Sequence, residues 1–251
     1  MKRTITVLLL VTAVIYSCQK PHRKVTGITG GNIKVTAIEK SDGAGEVRAI
    51  IEKYSAAIDS IKAPVIGTAA AELKVYPPES PLMNFAADAL HNMAQRHSDK
   101  KIDLAVTNKG GLRSTIQKGT VTFGDVYNVF PFENCLALLT LNGEQLTELF
   151  KEIAAVGGEA ISGARLTITA DGKLADATIN GAKVVPDKEY LIATSDYLAQ
   201  GNDKLYTLGK GSNKVIKSDI TIRDLMVQYI AEQHKKGEAI TAHTDGRITI
   251  K

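Results

Sequence analysis

Two polar breaks between apolar runs contain the residue types best suited to ligand binding in this sequence. The first break follows the apolar run Leu104–Val106 and contains Asn108 and Arg113. The second contains Phe132 and Asn134 and leads into another apolar run. Loops beside buried strands are where a rigid scaffold presents binding groups. The sequence therefore predicts a binding site built from these two loops.

A third polar loop, residues 195–203, follows the apolar run Tyr190–Thr194 and supplies Tyr197 and Asp203. Phe132 and Tyr197 both lie in polar loops, where a large ring has no evident core to fill. Two such rings could clamp a flat base by stacking on its two faces. The carboxylate of Asp203 can accept hydrogen bonds from a pair of vicinal hydroxyls, as acidic residues do with ribose.

Asn108 and Arg113 add polar recognition to these rings. An amide can pair with a heterocycle through a donor and an acceptor at once, and a guanidinium offers a planar fork of donors. Each residue alone has an ordinary structural explanation: Phe132 as a packing residue, Arg113 as part of a surface ion pair, Asp203 as a loop cap. Their combination of rings, amide, guanidinium and carboxylate favours a nucleoside ligand.

The sequence contains no recognisable catalytic set. It has no G-x-S-x-G elbow, phosphate-binding loop or dinucleotide glycine pattern, and its histidines lack the spacing of metal ligands. The net charge of +4 is spread over 251 residues without a dense basic run, so we expect no nucleic-acid partner. We therefore expect the chain to bind a ligand through its loops and to hold no cofactor. The histidines are His22, His91, His97, His234 and His243.

Residues 1–18 have the layout of an export signal. A positively charged start is followed by an apolar segment, residues 4–16, that is too short to span a membrane as a helix. The residues that end at Cys18 resemble a bacterial lipobox, and an ordinary signal peptide is the alternative. Residues 19–32 are predicted to be a flexible tether. We expect an exported domain at 33–251, lipid-anchored through Cys18 to the membrane surface of a bacterial cell envelope.

Hydrophobic periodicity predicts the elements that must position the three loops, and their mixture predicts a mixed α/β fold. The Asn142-Gly143 pair predicts a hairpin or tight turn. Cys135, which has no second thiol to pair with if Cys18 is lipidated, is expected to be buried in a strand. The predicted helices span 46–62, 82–96, 144–154 and 222–233. The predicted strands span 33–38, 102–106, 135–141, 165–169, 177–179, 190–194 and 247–251, with 165–169 and 177–179 forming a hairpin.

Five motifs occur in the order seen in the C-terminal domain of bacterial and animal 5′-nucleotidases, and the sequence resembles that family. The helix motif N-F-A-A-D-A-L spans Asn84–Leu90, and N-K-G-G-L-R spans Asn108–Arg113. The P-F-E-N motif spans Pro131–Asn134, and L-N-G-E-Q-L spans Leu141–Leu146. The loop S-D-Y-L-A-Q-G-N-D spans Ser195–Asp203. Each motif is weak alone, but together they are specific.

The resemblance implies an α-β-β-α layered domain that binds the nucleoside part of a nucleotide. It also implies that divalent metals and the catalytic residues belong to a separate metallophosphatase domain, which the sequence does not resemble. Six side chains would contact the ligand: Phe132 and Tyr197 stack on the base, Asn134 contacts it, Asn108 and Arg113 hold the base or the sugar, and Asp203 accepts hydrogen bonds from the ribose hydroxyls.

Two departures from the family pattern bear on ligand binding. An arginine that the family places just ahead of the Asn84 helix is missing, and either Tyr76 or Lys109 could replace it. Asn202 stands where the family has a glycine. The leading hypothesis is the specificity half of a 5′-nucleotidase that works with a separate metallophosphatase subunit. A lipid-anchored nucleoside-binding module without catalysis is the alternative, and a domain kept only for interaction or structure is the third possibility.

Overall fold

The computed structural model describes Gly27, Gly30, Gly31 and residues 42–251. The predicted export signal with Cys18, most of the predicted tether and the predicted strand 33–38 lie outside these residues. The chain divides into a unit of residues 1–48 and a unit of residues 49–251, and the candidate site lies in the second. Within the described residues, no helix has both the length and the apolar character needed to cross a membrane.

The described part of the chain contains six α-helices and ten strands. The helices are α1 (Asp42–Lys62), α2 (Pro81–Gln95), α3 (Phe123–Val129), α4 (Gly143–Ala155), α5 (Tyr206–Gly209) and α6 (Ile222–Lys235). The strands are β1 (Val65–Ala69), β2 (Leu104–Thr107), β3 (Gly119–Thr122), β4 (Cys135–Asn142), β5 (Ala160–Ser162), β6 (Ala164–Ile168), β7 (Leu174–Ile179), β8 (Glu189–Ser195), β9 (Ser212–Thr221) and β10 (Ile248–Ile250).

A five-stranded sheet with the order β5-β2-β8-β4-β9 forms the centre of the larger unit. Strands β2 and β8 are parallel, and the other neighbours in this sheet are antiparallel. A three-stranded sheet has the order β10-β6-β7, and β1 pairs with β3. The mixed α/β fold predicted from the sequence is confirmed, including the hairpin of β6 and β7.

The large sheet lies between two hydrophobic clusters because its side chains alternate from face to face. On β4, Leu136 and Leu138 pack into a cluster with α2, α3 and α6. Ala137, Leu139 and Leu141 pack into a second cluster with α4 and the small sheet. Because both faces are covered, β4 reads as a continuous apolar run, and this run made the strand recognisable in the sequence.

The Asn142-Gly143 pair makes the turn from β4 into the predicted helix, so of the two predicted possibilities the tight turn is present and the hairpin is not. Asn142 Oδ1 accepts a hydrogen bond from the backbone N of Gln145 at 2.8 Å, and Gln145 Oε1 accepts one from the backbone N of Asn142 at 3.0 Å. This reciprocal capping box starts α4 directly after β4. A Cβ on Gly143 would lie 1.9 Å from the carbonyl oxygen of Val185, so only glycine fits there.

Other helix starts follow from local sequence signals. Ser80 caps α2 with Pro81 in the first turn, as predicted, and Ser80 Oγ accepts a hydrogen bond from the backbone N of Met83. Thr122 and Thr221 begin α3 and α6 through further capping boxes. The helix predicted at 46–62 is present as α1, and its apolar side chains Ile50, Ile51, Tyr54, Ile58 and Ile61 are exposed.

Several details differ from the sequence predictions. Cys135 is only partly buried because it is the first residue of β4, although burial still raises the pKa of its thiol. Strand β9 was not predicted at all. It is an edge strand with mostly exposed side chains, so it lacks the apolar alternation that identifies a strand with one buried face. Strands β3 and β5 and helix α5 were also missed, since each has only three or four residues.

Candidate functional site

The pairing of three strands brings the three polar loops to one edge of the large sheet. Strands β2 and β8 are parallel neighbours, so both end at this edge, and the loops 108–113 and 196–203 follow them. Strand β4 is antiparallel to β8 with Leu136 opposite Ser195, so β4 begins where β8 ends. The loop 131–134, which precedes β4, therefore lies at the same edge.

These loops enclose a cavity of about 360 Å³. This volume falls within the range of small-molecule sites. All six site residues predicted from the sequence line the cavity, so the structure brings the complete predicted set together. The lining residues are Asn108, Gly110, Arg113, Phe132, Asn134, Tyr197 and Asp203.

Two aromatic residues in the cavity wall are partly exposed to solvent. Phe132 retains 49% of its surface exposure and Tyr197 retains 37%. The ring pairs found among the described residues are Phe85 with Tyr229 and Phe123 with Tyr127, so Phe132 and Tyr197 are not stacked on each other. Both rings are thus free to contact a flat ligand between or beside them.

Asp203 connects two of the loops. Its Oδ2 accepts a hydrogen bond from Asn108 Nδ2 at 2.5 Å, and its Oδ1 accepts one from the Tyr197 hydroxyl at 2.8 Å. The second bond raises the pKa of Tyr197, because the carboxylate stabilises the protonated phenol. Each carboxylate oxygen retains a further lone pair, so Asp203 can still accept hydrogen bonds from ligand hydroxyls.

The loop that carries Asp203 is shaped by residues with left-handed backbone conformations. Gly201 has φ +87° and Asp203 has φ +53°. The side-chain amide of Asn202 donates to the carbonyl oxygen of Tyr197 at 2.8 Å, so this departure from the family's glycine closes the loop. This bond holds the part of the loop that lies between Tyr197 and Asp203.

Lys109 supports the first loop from outside the cavity. Its Nζ donates to the carbonyl oxygens of Val156 at 2.9 Å and Gly158 at 2.7 Å, and it pairs with Glu159 at 3.1 Å. The backbone N of Lys109 also donates to Glu159, which is only 5% exposed. Burial raises the pKa of Glu159, and the Lys109 bonds oppose this rise. Lys109 therefore holds the loop in place and does not replace the arginine that the family has ahead of the Asn84 helix.

The remaining polar side chains of the cavity differ in how firmly they are held. Arg113 is anchored by its backbone N, which donates to the carbonyl oxygen of Val129 at 2.9 Å, while its exposed guanidinium donates to Gly110 at 3.2 Å. The side-chain amide of Asn134 has no hydrogen-bond partner among the described residues. Arg113 and Asn134 can therefore still bond to a ligand.

A small recess of about 20 Å³ lies beside the main cavity. Its walls include Thr107, Ser195 and Ile222, none of which the sequence analysis proposed as a site residue. The first two end strands and could have been inferred from their position, but Ile222 begins α6, about 90 residues beyond the Phe132 loop, and carried no local signal. Among residues 42–251 and the three described glycines, no group of three or more His, Cys, Asp or Glu side chains is arranged to hold a metal ion.

Comparisons with known proteins show the family to which this chain belongs. The family model described as 5′-nucleotidase, C-terminal domain matches residues 63–210. The endonuclease YhcR of Bacillus subtilis is 31% identical over 166 residues, which cover 63% of this chain and 13% of that protein. The trifunctional nucleotide phosphoesterase YfkN of the same organism is 32% identical over 186 residues, covering 68% of this chain and 12% of that protein.

The 5′-nucleotidase precursor of Thermus thermophilus shares the fold. Its crystal structure superposes with a TM-score of 0.71 at 21% identity, over 82% of this chain and 43% of that chain. The chain thus spans about an eighth of the length of the two Bacillus relatives and less than half of the Thermus structure. From the family match over residues 63–210, the chain belongs to the 5′-nucleotidase C-terminal domain family.

Proposed function

We propose that this domain binds the nucleoside part of a nucleotide and orients it for hydrolysis of the phosphoester. The observation that carries the proposal is the single cavity with two exposed rings, Phe132 and Tyr197, beside the carboxylate of Asp203. Rings suit the faces of a base, and a carboxylate suits the hydroxyls of ribose. Membership of the 5′-nucleotidase C-terminal domain family supports a nucleotide as the ligand.

Each wall of the cavity has a proposed role. The base lies between the two rings, with the amide of Asn134 at its edge. Asn108 and Arg113 hold the base or the sugar. Asp203 takes the ribose hydroxyls, and its existing bonds to Asn108 and Tyr197 hold the carboxylate in place before the ligand arrives. Because these groups are held in advance, less conformational freedom is lost on binding.

In this proposal a metallophosphatase on a separate chain carries out the hydrolysis. Its divalent metals would activate the attacking water. The contribution of this domain is orientation, since holding a nucleoside rigidly also fixes where its 5′-phosphate lies. The exposed Arg113 is suited to hold a phosphate oxygen or the sugar during this step. The activity therefore requires both halves.

The first experiment tests the aromatic walls. Phe132→Ala and Tyr197→Ala are each expected to raise the Kd for adenosine 5′-monophosphate about tenfold or more, because stacking on an aromatic side chain is worth ~1–3 kcal/mol per base. Titration calorimetry measures the change. Tyr206→Ala removes an exposed ring outside the cavity and serves as the matched control. Unaltered binding by the Phe132→Ala, Tyr197→Ala double variant would refute the clamp.

The second experiment tests the role of Asp203 in recognising ribose. The wild-type protein is expected to bind adenosine 5′-monophosphate more tightly than its 2′,3′-dideoxy analogue, and Asp203→Asn should reduce this preference about tenfold. A hydrogen bond to a charged group contributes ~1.5–3 kcal/mol, more than one to a neutral amide. Competition titrations with the two nucleotides measure the ratio. A preference that is equal in both proteins would show that the hydroxyls lie elsewhere.

The third experiment tests the division of labour. The purified chain with Mn²⁺ and adenosine 5′-monophosphate is expected to release no phosphate, and release should begin when a metallophosphatase encoded beside its gene is added. Colorimetric phosphate detection follows both reactions. Metal-dependent hydrolysis by the chain alone would contradict the split model. Tight nucleotide binding without activation by the added metallophosphatase would favour the alternative, a nucleoside-binding module without catalysis.

We also propose that the protein is exported and anchored to the bacterial cell envelope through lipidated Cys18. The support is the sequence: a positive start, a short apolar segment and a lipobox-like ending. Cys18→Ser is expected to move the protein from the membrane fraction to the soluble extracytoplasmic fraction, because a lipid anchor would supply the membrane affinity. Fractionation followed by immunoblotting measures this, and membrane association that survives the substitution would contradict the anchor.

A further inference from the structure

The loop that carries Phe132 is held by a buried arginine from helix α6. Arg223, the second residue of α6, is 7% exposed and does not line the cavity. Its Nη1 donates to the carbonyl oxygen of Phe130 at 3.2 Å, and its Nη2 bonds to a carboxylate oxygen of Glu133. These acceptors lie on either side of Phe132 in the sequence. The guanidinium of Arg223 therefore holds the backbone on both sides of Phe132.

The position of Arg223 follows from the end of helix α3. Phe130 is the C-cap of α3, where the last carbonyl groups lack partners within the helix and carry partial negative charge. The guanidinium satisfies one of these carbonyls and lies over the ring of Tyr127, with Cζ 4.6 Å from the ring centroid. The capping box of Thr221 and Asp224 fixes the first turn of α6, from which Arg223 projects.

The same turn of α6 also holds the far end of the loop. The backbone N of Ile222 donates to the carbonyl oxygen of Asn134 at 2.8 Å. Glu133 is 73% exposed, yet its carboxylate is paired with the buried charge of Arg223. Since a buried guanidinium without its partner is costly, the arginine and the loop are expected to hold their arrangement together.

We propose that Arg223 is a positioning residue for base recognition: it fixes the Phe132 ring as a wall of the cavity. This inference rests on the proposed function only in naming the ligand that the ring contacts. A planar fork is needed to reach both the Phe130 carbonyl and the Glu133 carboxylate, and a lysine ammonium at this position lacks that geometry.

One test needs no ligand. The chain contains no tryptophan, so Phe132→Trp introduces a single fluorescent reporter at the wall. Adding Arg223→Met is expected to increase acrylamide quenching and lower the anisotropy of this tryptophan, because the loop has lost its anchor. Arg96→Met removes an arginine that pairs with Glu232 on the same helix, and this control should leave both signals unchanged. Unchanged quenching in a folded Arg223→Met protein would overturn the proposal.

Glu133→Gln provides a second, milder variant, because the amide oxygen of glutamine can still accept a hydrogen bond from the buried guanidinium of Arg223. It weakens the contact between Arg223 and residue 133. Quenching is expected to change in the same direction as with Arg223→Met, by a smaller amount. This variant decides the question if Arg223→Met does not fold. Quenching that matches the parent protein in Glu133→Gln would then count against the proposal.

Binding supplies the readout that a general loss of stability would not give. Arg223→Met is expected to weaken adenosine 5′-monophosphate binding about tenfold, while binding of ribose 5-phosphate, which lacks a base, stays the same. In a Phe132→Ala background, Arg223→Met should cause no further loss, since the two residues act as one unit. An equal loss in both backgrounds would overturn the proposal. Failure of the wild-type protein to bind any nucleotide would refute the proposed function and leave the fluorescence test decisive for Arg223.

Discussion

The site depends on the placement of β8 between β2 and β4. Parallel pairing with β2 and antiparallel pairing with β4 put the end of β8, the end of β2 and the start of β4 at one edge. Each of these points carries one of the three polar loops. A shift of one residue between β4 and β8 would exchange the two faces of a strand whose side chains are buried on both sides. The two hydrophobic clusters thus specify the register that assembles the cavity.

Hydrogen bonds join the loop after β8 to the loop after β2 and to the start of β4. Asp203 joins the loop after β8 to Asn108 in the loop after β2, and the backbone N of Asp196 donates to the carbonyl oxygen of Cys135 at 2.9 Å. The left-handed backbone of Asp203 is unfavourable for a residue with a side chain. Its two side-chain bonds offset this strain and hold the carboxylate in the cavity wall.

The mixed α/β fold was predictable from the sequence, and so was the grouping of six side chains at one cavity, but several elements were not. The six predicted residues were recognisable because the loops that contain them adjoin strands with apolar runs, as with Leu104–Val106 before Asn108. Strand β9 could not be found, since an exposed edge strand has no apolar alternation. Asn142-Gly143 suits both a hairpin and the turn into a helix, and the capping partner Gln145, three residues on, favours the helix. The roles of Arg223 and Ile222 depend on contacts across about 90 residues, which local patterns do not encode.

The C-terminal end of the short helix α3 links two walls of the cavity. The carbonyl oxygen of Val129 accepts a hydrogen bond from the backbone N of Arg113. The carbonyl oxygen of the next residue, Phe130, accepts one from the guanidinium of Arg223. The first bond positions the loop that contains Arg113, and the second positions the loop that contains Phe132. The end of α3 therefore contacts both the loop that contains Arg113 and the arginine that holds the Phe132 loop. Because the last carbonyl groups of a helix lack partners within the helix, one helix end favours both contacts.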